Sequence, residues 1–178
     1  MTRRFLVNWS CWIGFWSGVY IYFYLQTPLA DKGVIWMTFV SLPIYFNGGA
    51  SREEFINYLA SVVVGVLWGL AYLHSIDFLV ALGIEAKIST GLVIFVVTTA
   101  VCAVHFLLPK RLRMTAVPVM FGAISMMFSQ GGQKVGPATL TLLGGVFLAL
   151  LCNEGTKLLN QDGTWKFFNK RDDRPLSE

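Results

Sequence analysis

The sequence predicts an all-α fold, a polytopic membrane bundle of six transmembrane helices built as a 3+3 inverted-topology repeat. Three observations predict it: where charged residues are missing, on which side of those gaps Lys and Arg fall, and a motif that occurs twice. With 55% apolar residues, 13% charged ones and a mean hydropathy of +0.60, the 178 residues are too apolar for a soluble domain.

Asp, Glu, Lys and Arg are absent from windows 5–30, 33–51, 55–76, 88–109, 114–133 and 135–153. An ionised side chain at mid-bilayer is strongly disfavoured, so each window is a candidate span. At 1.5 Å per residue each can cross roughly 30 Å of hydrocarbon, the second and fifth only marginally because Gly and polar residues shorten their apolar parts. The spans read as 5–25, 33–47, 55–74, 88–108, 114–129 and 137–153.

The first span follows Arg3 and Arg4, as a secretory signal would, but Trp9, Trp12, Trp16, Tyr20, Tyr22 and Tyr24 suit a retained, anchored helix. The second is short and ends in Asn47, Gly48 and Gly49. The third carries the small-residue ladder Ser61, Gly65, Gly69 and ends near His74 and Asp77, two ligand types without the third that a metal site needs. The fourth holds His105 near its end, close to Lys110, where a structural histidine is expected. The fifth ends in Ser129, Gln130, Gly131 and Gly132, and the sixth carries Thr141, Gly145, Ala149. Cys11, Cys102 and Cys152 lie inside spans without paired spacing, so they read as small apolar fillers rather than a zinc site or disulfide framework.

Orientation follows from the basic residues, which insertion holds in the cytoplasm. With both termini inside, Arg3, Arg4, Arg52, Lys110, Arg111, Arg113, Lys157, Lys166, Lys170, Arg171 and Arg174 are cytoplasmic, and only Lys32, Lys87 and Lys134 lie outside. The basic balance is thereby topological, and nucleic acid is not an expected partner. The expected domains are a six-span region, 1–153, with halves of about 1–80 and 81–153, and a basic cytoplasmic tail, 154–178. Leu158, Leu159, Trp165, Phe167 and Phe168 interleave with the tail's Lys and Arg, a composition suited to an anionic lipid surface.

The repeat pairs FNGG at 46–49 with SQGG at 129–132, each followed by one of the two ladders. Three spans per half is an odd number, so the second half enters the membrane inverted. Spans one and four share no comparable pattern. The ladders, with a third at Ser10, Gly14 and Gly18, read as helix-packing grooves. The glycine motifs carry the functional expectation. Short, Gly-interrupted spans paired between halves point to a solute pathway, whose candidate lining is Asn47, Gly48, Gly49, Asn57, Trp68, Ser129, Gln130, Gly131 and Gly132. Their ordinary alternative is a tight turn.

No Asp, Glu, Lys or Arg occupies a span centre, which disfavours ion-coupled pumping, and no nucleophile–base pair, Walker loop, HExxH or GxSxG occurs. No enzyme, cofactor or metal site is expected. Together, TFVSLPIYFNGGASREEFINYLASVVVGVLWGL and AVPVMFGAISMMFSQGGQKVGPATLTLLGGVFLALL resemble the YcdZ and YahC type of small bacterial inner-membrane proteins, grouped as a domain of unknown function. The resemblance implies a six-span protein of the bacterial inner membrane and supplies no catalytic residues. The leading expectation is a small-solute channel or facilitator. The alternative is a non-transporting scaffold or regulator acting through helix and lipid contacts, and the small-residue faces make a homo-oligomer plausible in either.

Overall fold

The computed structural model of the chain describes residues 1–167. Phe168, Lys170, Arg171 and Arg174 of the expected tail lie outside the described residues. The fold is all-α. Its six helices are α1 (Arg3–Tyr24), α2 (Thr38–Asn47), α3 (Phe55–Ala81), α4 (Ala86–Leu107), α5 (Val117–Ser129) and α6 (Val135–Glu154). A 3₁₀ turn, Ile35–Met37, leads into α2, and another, Gly155–Leu158, follows α6.

The helices differ in kind. Phe55–Ala81, Ala86–Leu107 and Val135–Leu158 are long and apolar enough to cross a membrane; Ile35–Asn47 and Val117–Ser129 are apolar but short. At 10 and 13 residues, α2 and α5 extend about 15 and 20 Å, well under roughly 30 Å of hydrocarbon. Pro118 in the first turn sets the start of α5, because proline lacks an N–H that an earlier turn would need. The residues preceding the short helices are drawn inward, Val34 fully and Ala116 to 7% exposure. In contrast, α3 runs past Asp77 to Ala81, beyond its charge-free window, since an exposed carboxylate near a helix end need not stop it.

The N-termini of α1, α3 and α5 share one end with the C-termini of α2, α4 and α6. The indole of Trp9 donates to the Cys152 carbonyl, the Asn153 amide to the Ala50 carbonyl, and the Thr115 N–H to the Asn57 side chain. The core lies among α2, α3, α5 and α6, where Tyr45, Met120, Met127, Val62, Leu142 and Val146 are at most 1% exposed. The broadest pairings are α3 with α5 and α2 with α6; α4 lies against α3, and α1 against α6. Exchanging α1, α2 and α3 for α4, α5 and α6 converts each pairing into the other.

Two of the three ladders explain these pairings. A Cβ on Gly65 would stand 2.7 Å from the Met120 Cα and carbonyl oxygen, and one on Gly69 2.7 Å from the Met127 Cβ. Across the exchange, a Cβ on Gly145 would strike Ser41 Oγ and the Thr38 carbonyl. Only glycine permits such backbone approach. Gly14 and Gly18 meet nothing within 4 Å.

Past α6 the described residues fold back onto the bundle. Leu159 and Trp165 form an isolated antiparallel bridge, and the turn between them is seated on the start of α1. Thr2 donates its hydroxyl to the Asp162 carbonyl, and Asn8 its amide to the Gly163 carbonyl. The Trp165 ring lies 5.9 Å from that of Trp12. Over its described part, the stretch expected as a basic tail is thus a structured closure of the bundle end.

Candidate functional site

The start of α5 sits in a polar cleft at the end that gathers the N-termini of α1, α3 and α5. Two connections form its walls: the one from α2 into α3 contributes Gly48, Glu53 and Glu54, and the one from α4 into α5 contributes Arg111, Arg113 and Thr115. Asn57, Tyr58, Ala116 and Pro118 complete a space of about 660 Å³. That volume falls within the range of small-molecule sites.

Backbone chemistry explains the floor. A helix start leaves its first N–H groups without partners, and here α3 supplies two. Asn57 Oδ1 accepts the Thr115 N–H at 2.9 Å, and Ser61 Oγ accepts the Ala116 N–H at 3.1 Å. The Asn57 amide donates to Glu54 Oε2 at 2.7 Å and to Thr115 Oγ1 at 3.2 Å. Val117 donates to the Thr115 carbonyl, Val119 to that of Ala116, and Pro118 has no N–H. The helix start is saturated, so it offers no free N–H to an anion.

The corresponding start of α2 is finished differently. The Tyr24 hydroxyl meets Thr141 Oγ1 at 2.7 Å, the Thr38 hydroxyl donates to the Tyr20 oxygen at 3.3 Å, and Ser41 donates to the Leu142 carbonyl at 2.7 Å. Thr38, Ser41 and Thr141 are fully buried, and Tyr24 is 6% exposed. The Tyr20 hydroxyl rests where a Cβ on Gly144 would stand. Two tyrosines from α1 close this end.

The glycine motifs are helix caps. In the first, the Ala50 N–H returns to the Tyr45 carbonyl at 3.0 Å across Gly49, whose φ is +86°. In the second, the Gly132 N–H returns to the Met127 carbonyl at 3.0 Å across Gly131, φ +57°. Both are Schellman-type closures with a left-handed glycine, so the structural register matches Gly49 to Gly131, one residue off the FNGG/SQGG alignment. The caps lie apart. Gly48 abuts the Tyr58 hydroxyl near the start of α3, whereas Gly132 approaches Leu70 and Leu73 farther along that helix.

The sequence-derived residues therefore divide between places. Gly48 and Asn57 line the cleft, with Asn57 buried and Gly48 exposed. Asn47 and Gly49 are exposed beside it on the first cap. Ser129, Gln130, Gly131 and Gly132 form the second cap, where Ser129 Oγ donates to its own helix at Met126. Trp68 belongs to neither. Its indole donates to His105 Nε2 at 2.9 Å, and His105 Nδ1 lies 2.8 Å from the Met114 carbonyl. An indole only donates, so the ring is the neutral Nδ1–H tautomer, pinning the α4–α5 connection to α3.

Sequence reasoning singled out neither Arg111 nor Arg113 as lining residues, nor the closing role of Tyr20 and Tyr24. The signal for the cleft was the clustering of opposite charges in two connections on the same side. Nearby, Arg52 and Glu154 form a two-bond ion pair at 2.8 and 2.6 Å, and Lys157 reaches the same carboxylate at 2.7 Å. The carboxylate pushes the Arg52 pKa above its ordinary value, chiefly through the hydrogen bond. Among the described residues, no three His, Cys, Asp or Glu side chains are grouped to hold a metal.

Fold and site define an all-helical protein whose helices include three with membrane-crossing length and apolarity, with a polar cleft at one end of a packed bundle. The chain belongs to the family described as protein of unknown function (DUF1097), whose model matches residues 11–157. The match spans the bundle from within α1 to just past α6. No curated protein and no solved structure matches the chain.

Proposed function

We propose that the chain is a six-helix protein of the bacterial inner membrane, made of two inverted three-helix halves, that facilitates passage of a small polar solute. The likeness to the YcdZ and YahC type belongs with this reading. The halves share the order long, short, long, and their pairings exchange under the repeat. Arg3, Arg4, Arg52, Arg111, Arg113, Lys157 and Lys166 belong to the end that carries the N-termini of α1, α3 and α5, in keeping with a cytoplasmic face there. The observation that carries the reading is the unequal finish of the two short helices: the approach to α5 is open and polar, the approach to α2 closed by Tyr20 and Tyr24. One open and one closed approach to a symmetric core is the arrangement of a gated path. The seam between is filled by Met120, Met127, Tyr45 and Leu142, so passage requires one half to rock against the other.

Liposomes carrying the purified full-length protein test this by osmotic swelling with small polar solutes. At least one should enter faster than into protein-free liposomes, and Pro118→Trp, which fills the cleft and leaves the Asn57 and Ser61 bonds intact, should abolish the gain in protein that stays folded. Equal swelling with and without protein across uncharged and zwitterionic solutes would overturn the proposal.

The scaffold reading is favoured by one observation, the open groove at Gly14 and Gly18, which none of the described residues fills. If assembly is the function, Gly14→Leu and Gly18→Leu should shift the detergent-solubilised mass to monomer and leave the fold intact.

A further inference from the structure

We infer that the cleft binds a zwitterion, a molecule carrying an ammonium and an anionic group a few ångströms apart; the inference rests on reading the cleft as the solute vestibule. The charges are arranged for such a ligand. Glu53 and Glu54 come from one wall, Arg111 and Arg113 from the other, and all four line one space of about 660 Å³. Among the described residues the ion pairs are Arg52 with Glu154 and Lys157 with Glu154, so the two acidic and two basic groups of the cleft face a common cavity without neutralising one another. Opposite charges that line one cavity without pairing are satisfied together when a molecule of both signs lies between them.

Neighbouring geometry narrows the choice. Glu54 is held by the Asn57 amide at 2.7 Å, which orients its carboxylate from the cleft floor. A lone anion would gain the two guanidiniums, meet the two carboxylates, and find no N–H at the start of α5, where Thr115, Ala116, Val117 and Val119 are all bonded. A lone cation meets the converse conflict. An uncharged solute leaves four charges to water. The two sources of this chemistry are a free amino-acid-like solute and the ammonium phosphate headgroup of a membrane lipid, since the cleft opens at an end of membrane-crossing helices.

The test uses purified full-length protein, with thermal unfolding and titration calorimetry as readouts. In detergent, alanine should raise the unfolding temperature, whereas propionate, ethylamine and their equimolar mixture should not. In nanodiscs, a rise in phosphatidylethanolamine over phosphatidylglycerol, without a response to alanine, assigns the site to the lipid headgroup. The double variants Glu53→Gln/Glu54→Gln and Arg111→Gln/Arg113→Gln, whose unliganded unfolding should be unchanged, should each weaken binding at least tenfold. The inference is overturned if neither zwitterion binds, if propionate or ethylamine alone binds as tightly, or if both double variants bind undiminished. Alanine binding without flux in liposomes would sink the facilitator and leave the zwitterion site; flux of an uncharged solute without zwitterion binding would do the reverse.

Discussion

At the start of α5, the groups arriving from α3 are Asn57 and Ser61, and both are used on backbone N–H groups, leaving an open polar cleft above them. At the start of α2, the group arriving from α6 is Thr141, and what lies over it is a pair of tyrosines. The flanking helices account for the difference. Both α1 and α4 have 22 residues; Tyr20 and Tyr24 occupy the positions, counted from the C-terminus, that Ala103 and Leu107 occupy in α4. Ala103 and Leu107 are exposed, and His105, buried between them in sequence, holds the connection instead. Outer helices of equal length with different side chains thus accompany one open end and one closed one.

The largest expected effect bears on what the ends share. If the α3–α5 and α2–α6 seams are equivalent, Gly65→Leu and Gly145→Leu should be equally damaging, each forcing a side chain into a neighbouring backbone. Overpacking of this kind costs about 3 kcal/mol, and poorly folded protein is the expected outcome for both. Gly14→Leu, at an open position, should leave thermal unfolding of the monomer unchanged. Unequal loss between Gly65 and Gly145 would break the equivalence of the two seams.

Next comes the open end. Asn57→Leu strands the Thr115 N–H and the Glu54 carboxylate contact together, and a buried N–H without an acceptor costs about 2 kcal/mol. Chemical or thermal unfolding should register that loss, and Asn57→Asp, which keeps the acceptor but sets a carboxylate against that of Glu54, should recover part of it only when Glu54→Gln is added. The closed end should be more forgiving. Tyr24→Phe removes one hydroxyl from a pair in which Thr141 keeps its bond to the Pro137 carbonyl, a loss of about 1 kcal/mol. Combined with Tyr20→Phe it should also raise solute leak in liposomes; an unchanged leak would show that the tyrosines pack and do not gate.

Legibility in the sequence follows from range. Charge-free windows located all six helices, because exclusion of ions from an apolar environment acts residue by residue. Helix length was less legible: Pro118 and the inward turns at Val34 and Ala116 shorten α2 and α5, and nothing in a charge count records them. The ladders at Gly65 and Gly145 were readable as packing surfaces, but their partners, Met120 and Thr38, were not, since one small residue accepts any close neighbour. The glycine pairs were visible as a repeat and ambiguous as to role. Left-handed φ at Gly49 and Gly131 resolves them as caps, a distinction that lives in backbone geometry. The cleft was least legible, because Glu53 and Arg113 are 60 residues apart and charged connections usually face only water.

The smallest effect concerns the hairpin that closes the end opposite Tyr20 and Tyr24. Gly163, with φ +90°, lies against the Phe5 and Arg4 backbone, and the turn is tied locally by Asp162, whose carboxylate accepts the Thr164 N–H at 2.9 Å and hydroxyl at 2.8 Å. Those bonds, the backbone one first, hold the Asp162 pKa below the usual aspartate range. Because folding lowers this pKa, the contribution to stability is complete above the ordinary aspartate value of about 3.9 and is lost as pH falls through the lower folded value. Acid titration of thermal unfolding should accordingly show a small decline below about pH 3.9 that Asp162→Asn lacks. The variant keeps an acceptor oxygen and loses the charge, so its difference from the wild type isolates the titration from the shape of the turn. A decline of equal size in both would mean that acid acts elsewhere, and that the hairpin holds this end through Thr2, Asn8 and the Trp12–Trp165 contact alone.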